Sequence, residues 1–221
     1  MATLHHISRK PETPSDGRPP LLLLLHGVRS NEEDLIGLAP LLDPRFHVVS
    51  MRAPLTLGPS AYGWFPVQFV PGGFLIDENV AEQSRKQVID FTSDAVEKYG
   101  TDPDRVYLMG FSQGAIMSLA SALTQPDLYA GVVAMSGRFL PQIEPIIAPA
   151  HDLKGLPITV VHGTYDEVIP VEFGRTIKEK LEKLPVDLTY REYPMGHHVS
   201  QESMRDVSKW LTSALDDPRR L

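Results

Sequence analysis

The chain has 221 residues, 42% of them hydrophobic and 22% charged, a length and composition that support one globular domain over residues 1–221 rather than a disordered or fibrous chain. A net charge of −7 with no basic stripe argues against a nucleic-acid partner, because phosphate binding relies on clustered Lys and Arg. The absence of cysteine excludes disulfides and thiolate metal sites.

The opening Met-Ala-Thr-Leu-His-His lacks the basic start and apolar stretch of a secretory signal, so a cytoplasmic location is expected. Residues 4–8 read as an edge strand, followed by a turn-rich connection carrying Pro11, Pro14, Gly17, Pro19 and Pro20. Leu21–Leu25 is wholly apolar between Pro-Pro and His-Gly, as in a central parallel strand covered on both faces. This longest apolar run is far short of the roughly 20 residues that span a bilayer, so no stable membrane insertion is expected.

Ser30 precedes Glu33 at the spacing of a capping box, opening a helix whose buried stripe is Leu35, Leu38 and Leu41 or Leu42. Residues 46–51 form the next strand, and residues 53–73 a long irregular stretch of Pro, Gly and aromatics. From residue 78 to 99, Val88, Phe91, Ala95 and Tyr99 keep a helical period. A strand at 105–109 leads into a helix stopped by Pro126, and a strand at 132–135 into a Pro-rich stretch at 141–157, brief for a lid. Residues 158–161 form a buried strand. A helix marked by Ile177, Leu181 and Leu184, a strand at 188–193, and a last helix through Met204, Val207, Leu211 and Ala214 complete the chain. This alternation predicts an α/β fold, a mostly parallel central sheet with helices on both faces and a minimal or absent lid.

Gly110-Phe111-Ser112-Gln113-Gly114 matches the G-x-S-x-G elbow, in which small flanking residues let the chain turn sharply from strand to helix with the serine raised at the turn. A serine hydroxyl is a poor nucleophile near neutral pH and needs a base, itself oriented by a third group. In α/β-hydrolases the chain order is Ser, Asp or Glu, His, each on the loop after a strand. Asp166 in Gly163-Thr164-Tyr165-Asp166 and His197 in Met195-Gly196-His197 meet that rule. Asp152 precedes its strand, Glu167 lies one position further out, and His198 competes with His197 but lacks the glycine immediately before it.

The oxyanion that forms on attack needs fixed donors. The backbone amides of Gln113, at a helix N-terminus, and Val28, in the loop after the first central strand, are the candidates. His26 is expected to shape that loop by hydrogen bonding, and its repeat in Val161-His162-Gly163 suggests a structural role for such pairs at strand ends. Trp64, Phe65, Phe69 and Phe74 are candidates for an acyl pocket or for core beneath a long loop. His5-His6 and His197-His198 have no companions at metal-ligand spacing, and neither a dinucleotide fingerprint nor a P-loop is present, so no metal or cofactor is expected.

The chain resembles the phospholipase/carboxylesterase family of small α/β-hydrolases, which includes the acyl-protein thioesterases. The resemblance is carried by the run from Leu25-His26-Gly27 to Asp34-Leu35, by Tyr62-Gly63-Trp64-Phe65, by Gly110-Phe111-Ser112-Gln113-Gly114-Ala115, by His162-Gly163-Thr164-Tyr165-Asp166-Glu167-Val168-Ile169-Pro170 and by Gly196-His197-His198-Val199-Ser200. It implies Ser112 as nucleophile, Asp166 as orienting acid, His197 as general base, Val28 and Gln113 as oxyanion donors, a small-molecule ester substrate, no cofactor, and a homodimer. Thioesterase members often carry Gly-Leu-Gly after His-Gly, where this chain has Val28-Arg29-Ser30-Asn31, which favours the bacterial-type carboxylesterase branch. The expected activity is hydrolysis of carboxylic esters with small or exposed acyl groups. Thioester or dienelactone-type lactone cleavage on the same residues, and a non-catalytic ligand-binding homologue, are the alternatives.

Overall fold

A computed structural model describes residues 4–14, 17–70 and 73–217, except for the side chains of residues 69, 70, 73 and 74. The strands are β1 (His6–Arg9), β2 (Leu21–Leu25), β3 (His47–Met51), β4 (Leu55–Gly58), β5 (Ala61–Gly63), β6 (Val67–Val70), β7 (Gly73–Ile76), β8 (Val106–Phe111), β9 (Gly131–Met135), β10 (Pro157–Gly163) and β11 (Asp187–Tyr193). The helices are α1 (Glu32–Ile36), α2 (Glu78–Tyr99), α3 (Gln113–Thr124), α4 (Val171–Leu181) and α5 (Gln201–Leu215). Seven strands form the central sheet in the order β1-β3-β2-β8-β9-β10-β11. Every pairing is parallel except that of the edge strand β1 with β3.

The apolar run of β2 divides between the two faces as strand geometry requires. Leu21, Leu23 and Leu25 pack with Val88 and Phe91 of α2, Leu119 of α3 and Ile177 of α4. Leu22 and Leu24 pack with Leu35 of α1 and with Met204, Val207 and Leu211 of α5. Asp77 caps α2 by accepting from Asn79 N and Val80 N, and Gly100 ends it at φ 60°. Ser200 and Ser203 cap α5 reciprocally. Among the described residues no helix is long and apolar enough to cross a membrane.

Two local expectations are corrected and one alternative is resolved. The cap of α1 is Asn31, whose side chain accepts from Glu33 N, while Ser30 Oγ donates to Asp34 Oδ2 at 2.7 Å and Ser30 bridges Tyr62. Of the two leucines ending that segment, Leu42 is buried and Leu41 is 57% exposed, because residues 39–41 form a 3₁₀ turn that changes the phase of the pattern. Residues 53–73 are not irregular throughout: β4 pairs with β5, and β6 pairs with β7. The Pro-rich stretch at 141–157 sends Ile143, Leu153 and Leu156 into the core.

These burial differences set unequal stakes. Leu23→Ala, at a fully buried position in a central strand, is expected to cost about 2–5 kcal/mol, whereas Leu41→Ala should stay within about 0.5 kcal/mol of the parent. Urea titrations of the two variants measure the contrast.

Candidate active site

The carboxyl ends of the parallel strands share one edge of the sheet, where open α/β sheets place their sites. There β8 turns into α3 through Ser112, at φ 54° and ψ −118°. This backbone conformation is rare for a residue with a side chain and costs on the order of 1–3 kcal/mol. Ser112 N donates to Met135 O at 2.9 Å, and Ser112 O accepts from Ile116 N at 3.2 Å, pinning the turn from both sides. A Cβ on Gly114 would lie 1.9 Å from Leu25 O, and one on Gly110 would lie 2.3 Å from Gly114 O, so the elbow closes only with glycine at both places.

Ser112 Oγ lies 3.0 Å from His197 Nε2, and His197 Nδ1 lies 2.7 Å from Asp166 Oδ2. A carboxylate only accepts, so Nδ1 carries a proton and Nε2 of the neutral ring is left to accept from the serine hydroxyl. Asp166 Oδ1 accepts from Val168 N at 2.9 Å and Ile169 N at 2.8 Å, which fixes the carboxylate plane. Phe111 packs on the His197 ring at a centroid distance of 4.9 Å. The neighbouring His198 is exposed, and the loops of Asp166 and His197 are joined by Thr164 N to Tyr193 O at 2.8 Å and Tyr165 N to Met195 O at 3.0 Å.

Val28 and Gln113 both face the pocket beside Ser112. Gln113 opens α3, so its amide has no acceptor within the helix and lies at the positive end of the helix dipole. The Val28 loop is held by Arg29 N to Tyr62 O at 2.7 Å and Tyr62 N to Ser30 O at 2.8 Å. His26 serves that loop as expected: Nδ1 donates to Gly27 O at 2.7 Å and Nε2 accepts from Ala53 N at 3.0 Å. Burial pushes its pKa below the usual histidine value, keeping the ring neutral.

The Gln113 side chain clamps the pocket wall. Its Oε1 accepts from Trp64 N and its Nε2 donates to Phe65 O, each at 2.7 Å. Phe65 lines the pocket. Trp64 does not: it is fully buried, with Nε1 donating to His26 O at 2.9 Å, so its expected place in the lining is corrected to core. The side chains of Phe69 and Phe74 lie outside the described residues.

The remaining wall comes from Ile116, from Val67 and Ile76 on the β6–β7 hairpin, and from Val168 and Ile169 beside Asp166. Arg138, after β9, is the charged residue of the lining, and burial lowers the pKa of its guanidinium. Sequence reasoning missed these residues and the Gln113 clamp. Arg138 follows a strand at the active edge and could have been found by that placement; nothing local in the sequence signals the others.

Behind the Val28 loop, Glu32 is buried and paired with Arg52 through Nε–Oε2 at 2.7 Å and a second contact, while the Arg52 guanidinium covers the Tyr62 ring at 4.4 Å. The Arg52 hydrogen bonds hold the Glu32 carboxyl at about 2, against an ordinary 4.5. A depressed folded-state value contributes stability above pH 4.5 that is lost as pH falls toward about 2. Glu32→Gln should therefore be less stable than the parent at neutral pH, with the gap closing below pH 4.5; thermal melts along a pH series test this.

The phospholipase/carboxylesterase family profile matches residues 10–215. Acyl-protein thioesterase 1 of Kluyveromyces lactis is 30% identical over 171 residues, 75% of each chain. Carboxylesterase SOBER1 of Arabidopsis thaliana is 30% identical over 156 residues, 69% of this chain and 68% of that one. Among solved structures, esterase PE8 superposes with a TM-score of 0.84 at 27% identity, covering 96% of this chain and all of that one. The Bacillus cereus carboxylesterase does so at 0.82 and 26%, covering 96% and 95%. The chain belongs to the phospholipase/carboxylesterase family and is a serine hydrolase of ester bonds.

Proposed function

We propose that this hydrolase is a carboxylesterase in which Ser112 is the nucleophile, His197 the general base and Asp166 the group that orients it. The observation that carries the reading is the unbroken line from Ser112 Oγ to His197 Nε2 at 3.0 Å and from His197 Nδ1 to Asp166 Oδ2 at 2.7 Å. His197 takes the serine proton as Oγ attacks the ester carbonyl. The carbonyl oxygen becomes an oxyanion received by the amides of Val28 and Gln113. Collapse expels the alcohol, which takes the proton from His197 Nε2. A water activated by the same nitrogen then attacks the acyl-enzyme and releases the acid.

A small apolar pocket walled by Phe65, Val67, Ile76 and Ile116 supports a preference for short acyl groups. Chemistry on the acyl carbon is the same for an oxygen ester and a thioester. The leaving group is therefore read from rates on matched pairs of the two.

Ser112→Ala should lower kcat/KM on a short-chain p-nitrophenyl ester by about 10³-fold or more, with a residue of activity left to the oxyanion donors. A fluorophosphonate should label the parent at Ser112 and leave the variant unlabelled. A Ser112→Ala protein hydrolysing at the parent rate would overturn the assignment.

A further inference from the structure

A second imidazole stands behind Asp166. His162, near the end of β10, is fully buried, and its Nε2 lies 3.6 Å from Asp166 Oδ2, the same oxygen that accepts from His197. The closer partner of that nitrogen is Ile169 O, at 2.8 Å. A carbonyl oxygen only accepts, so Nε2 carries the proton. The opposite ring nitrogen, Nδ1, is buried and has no hydrogen-bond partner among the described residues. Helix α4 closes over that edge at Gly174, where a Cβ would lie 2.7 Å from Nδ1 and 2.8 Å from the ring carbon Cγ.

A second proton on this ring would sit in a dry, sealed place. Burial holds the pKa of His162 below the usual histidine value, against the hydrogen bond to Ile169 O and the attraction of Asp166 and Glu192, and with the help of His197. The ring is thereby kept neutral, in one tautomer, and in one orientation.

The tie to Ile169 acts on both functions of the loop. Ile169 N is one of the two amides that orient the Asp166 carboxylate, and the Ile169 side chain is part of the pocket wall. We propose that His162 is a positioning residue of the hydrolytic site, whose Nε2–H anchors the 166–169 turn to the sheet and so holds Asp166 in line with His197. This rests on the assignment of Ser112, His197 and Asp166 given above. It goes beyond a purely structural role at the end of a strand because it makes His162 part of the orientation of the base.

The experiment compares His162→Leu, which removes the donor, with His162→Gln, whose side-chain amide can restore it, using kcat and KM for a short-chain p-nitrophenyl ester over a pH series. Thermal melting confirms folding, and fluorophosphonate labelling reports Ser112. His162→Leu is expected to lose about 10- to 100-fold in kcat with a much smaller change in KM, the scale of a catalytic group displaced by about 1 Å. The acid limb of its kcat/KM profile should move to lower pH, because a misplaced carboxylate stabilises the imidazolium less. His162→Gln should recover most of both effects.

A folded His162→Leu with parental kcat and pH profile overturns the proposal, as does an equal loss in the two variants. Histidine ¹⁵N NMR on the parent protein supplies an independent reading if the variants do not fold. His162 should stay a neutral Nε2–H tautomer across the range in which activity titrates; charging in step with the acid limb overturns the proposal. Failure of the parent to label at Ser112 would instead overturn the nucleophile assignment.

Discussion

The start of α3 lies directly on the main chain at the end of β2, and the geometry of the active edge follows from that contact. The space a Gly114 Cβ would need is already taken by Leu25 O, 1.9 Å away, so any side chain there would push the helix off the sheet. With the helix this close, the chain leaving β8 has one residue in which to reverse, and Ser112 takes the strain at φ 54°. Hydrogen bonds from β9 and α3 hold it there. The same approach brings the first amide of α3 beside the hydroxyl, and it carries the Gln113 side chain to the main chain of Trp64 and Phe65. The proposed nucleophile, the proposed oxyanion amide and a pocket wall are thus consequences of one close approach between backbones.

A parallel sheet adds the rest, because all its strands deliver their carboxyl ends to one side. Val28 follows β2, Arg138 follows β9, Asp166 follows β10 and His197 follows β11. Side chains on separate loops need more than proximity to act in line. Here the loops are stitched to each other by main-chain hydrogen bonds: the Val28 loop to β5, and the Asp166 loop to the His197 loop. Gly163 allows the last pair to approach, since a Cβ there would lie 2.2 Å from Met195 O. Preorganisation of this kind lowers the cost of aligning groups at the moment of reaction.

What could be read from the sequence was whatever a local pattern determines. Leu21–Leu25 declared a strand covered on both faces, because each of its residues meets an apolar neighbour whichever way it points. Ser112 and Asp166 stand out as candidates because each follows an apolar run, and His197 because it follows the last strand, the more polar β11, whose end lies at the same edge. The failures were non-local. Ser30 and Asn31 are equally good caps by residue type; Ser30 is diverted by its bridge to Tyr62, over thirty positions away in the chain. The strands β4 and β5 are too short to show an alternation, and the buried place of Trp64 depends on an acceptor at His26 that no spacing rule reveals. The glutamine of G-x-S-x-G signals only its amide in the sequence, since the clamp made by its side chain exists only once the 61–65 segment has folded over α3.

The histidines around the site show how one fold assigns opposite tasks to one residue type. His26 and His162 occupy matching positions, each at the end of a strand or just beyond it and each before a glycine, yet their protons sit on different nitrogens. His26 carries its proton on Nδ1, facing Gly27 O, and uses Nε2 to accept from Ala53 N. His162 carries its proton on Nε2, facing Ile169 O. In both cases a fixed main-chain carbonyl chooses the tautomer and burial opposes a second proton. His197 differs on both counts: its side chain keeps 17% of its surface open, and its proton faces a carboxylate rather than a carbonyl. Its Nε2 is also the imidazole nitrogen within reach of the Ser112 hydroxyl, at 3.0 Å. In the proposed reaction the serine proton therefore has one imidazole to go to, and the two rings beside the site keep their shape while it moves.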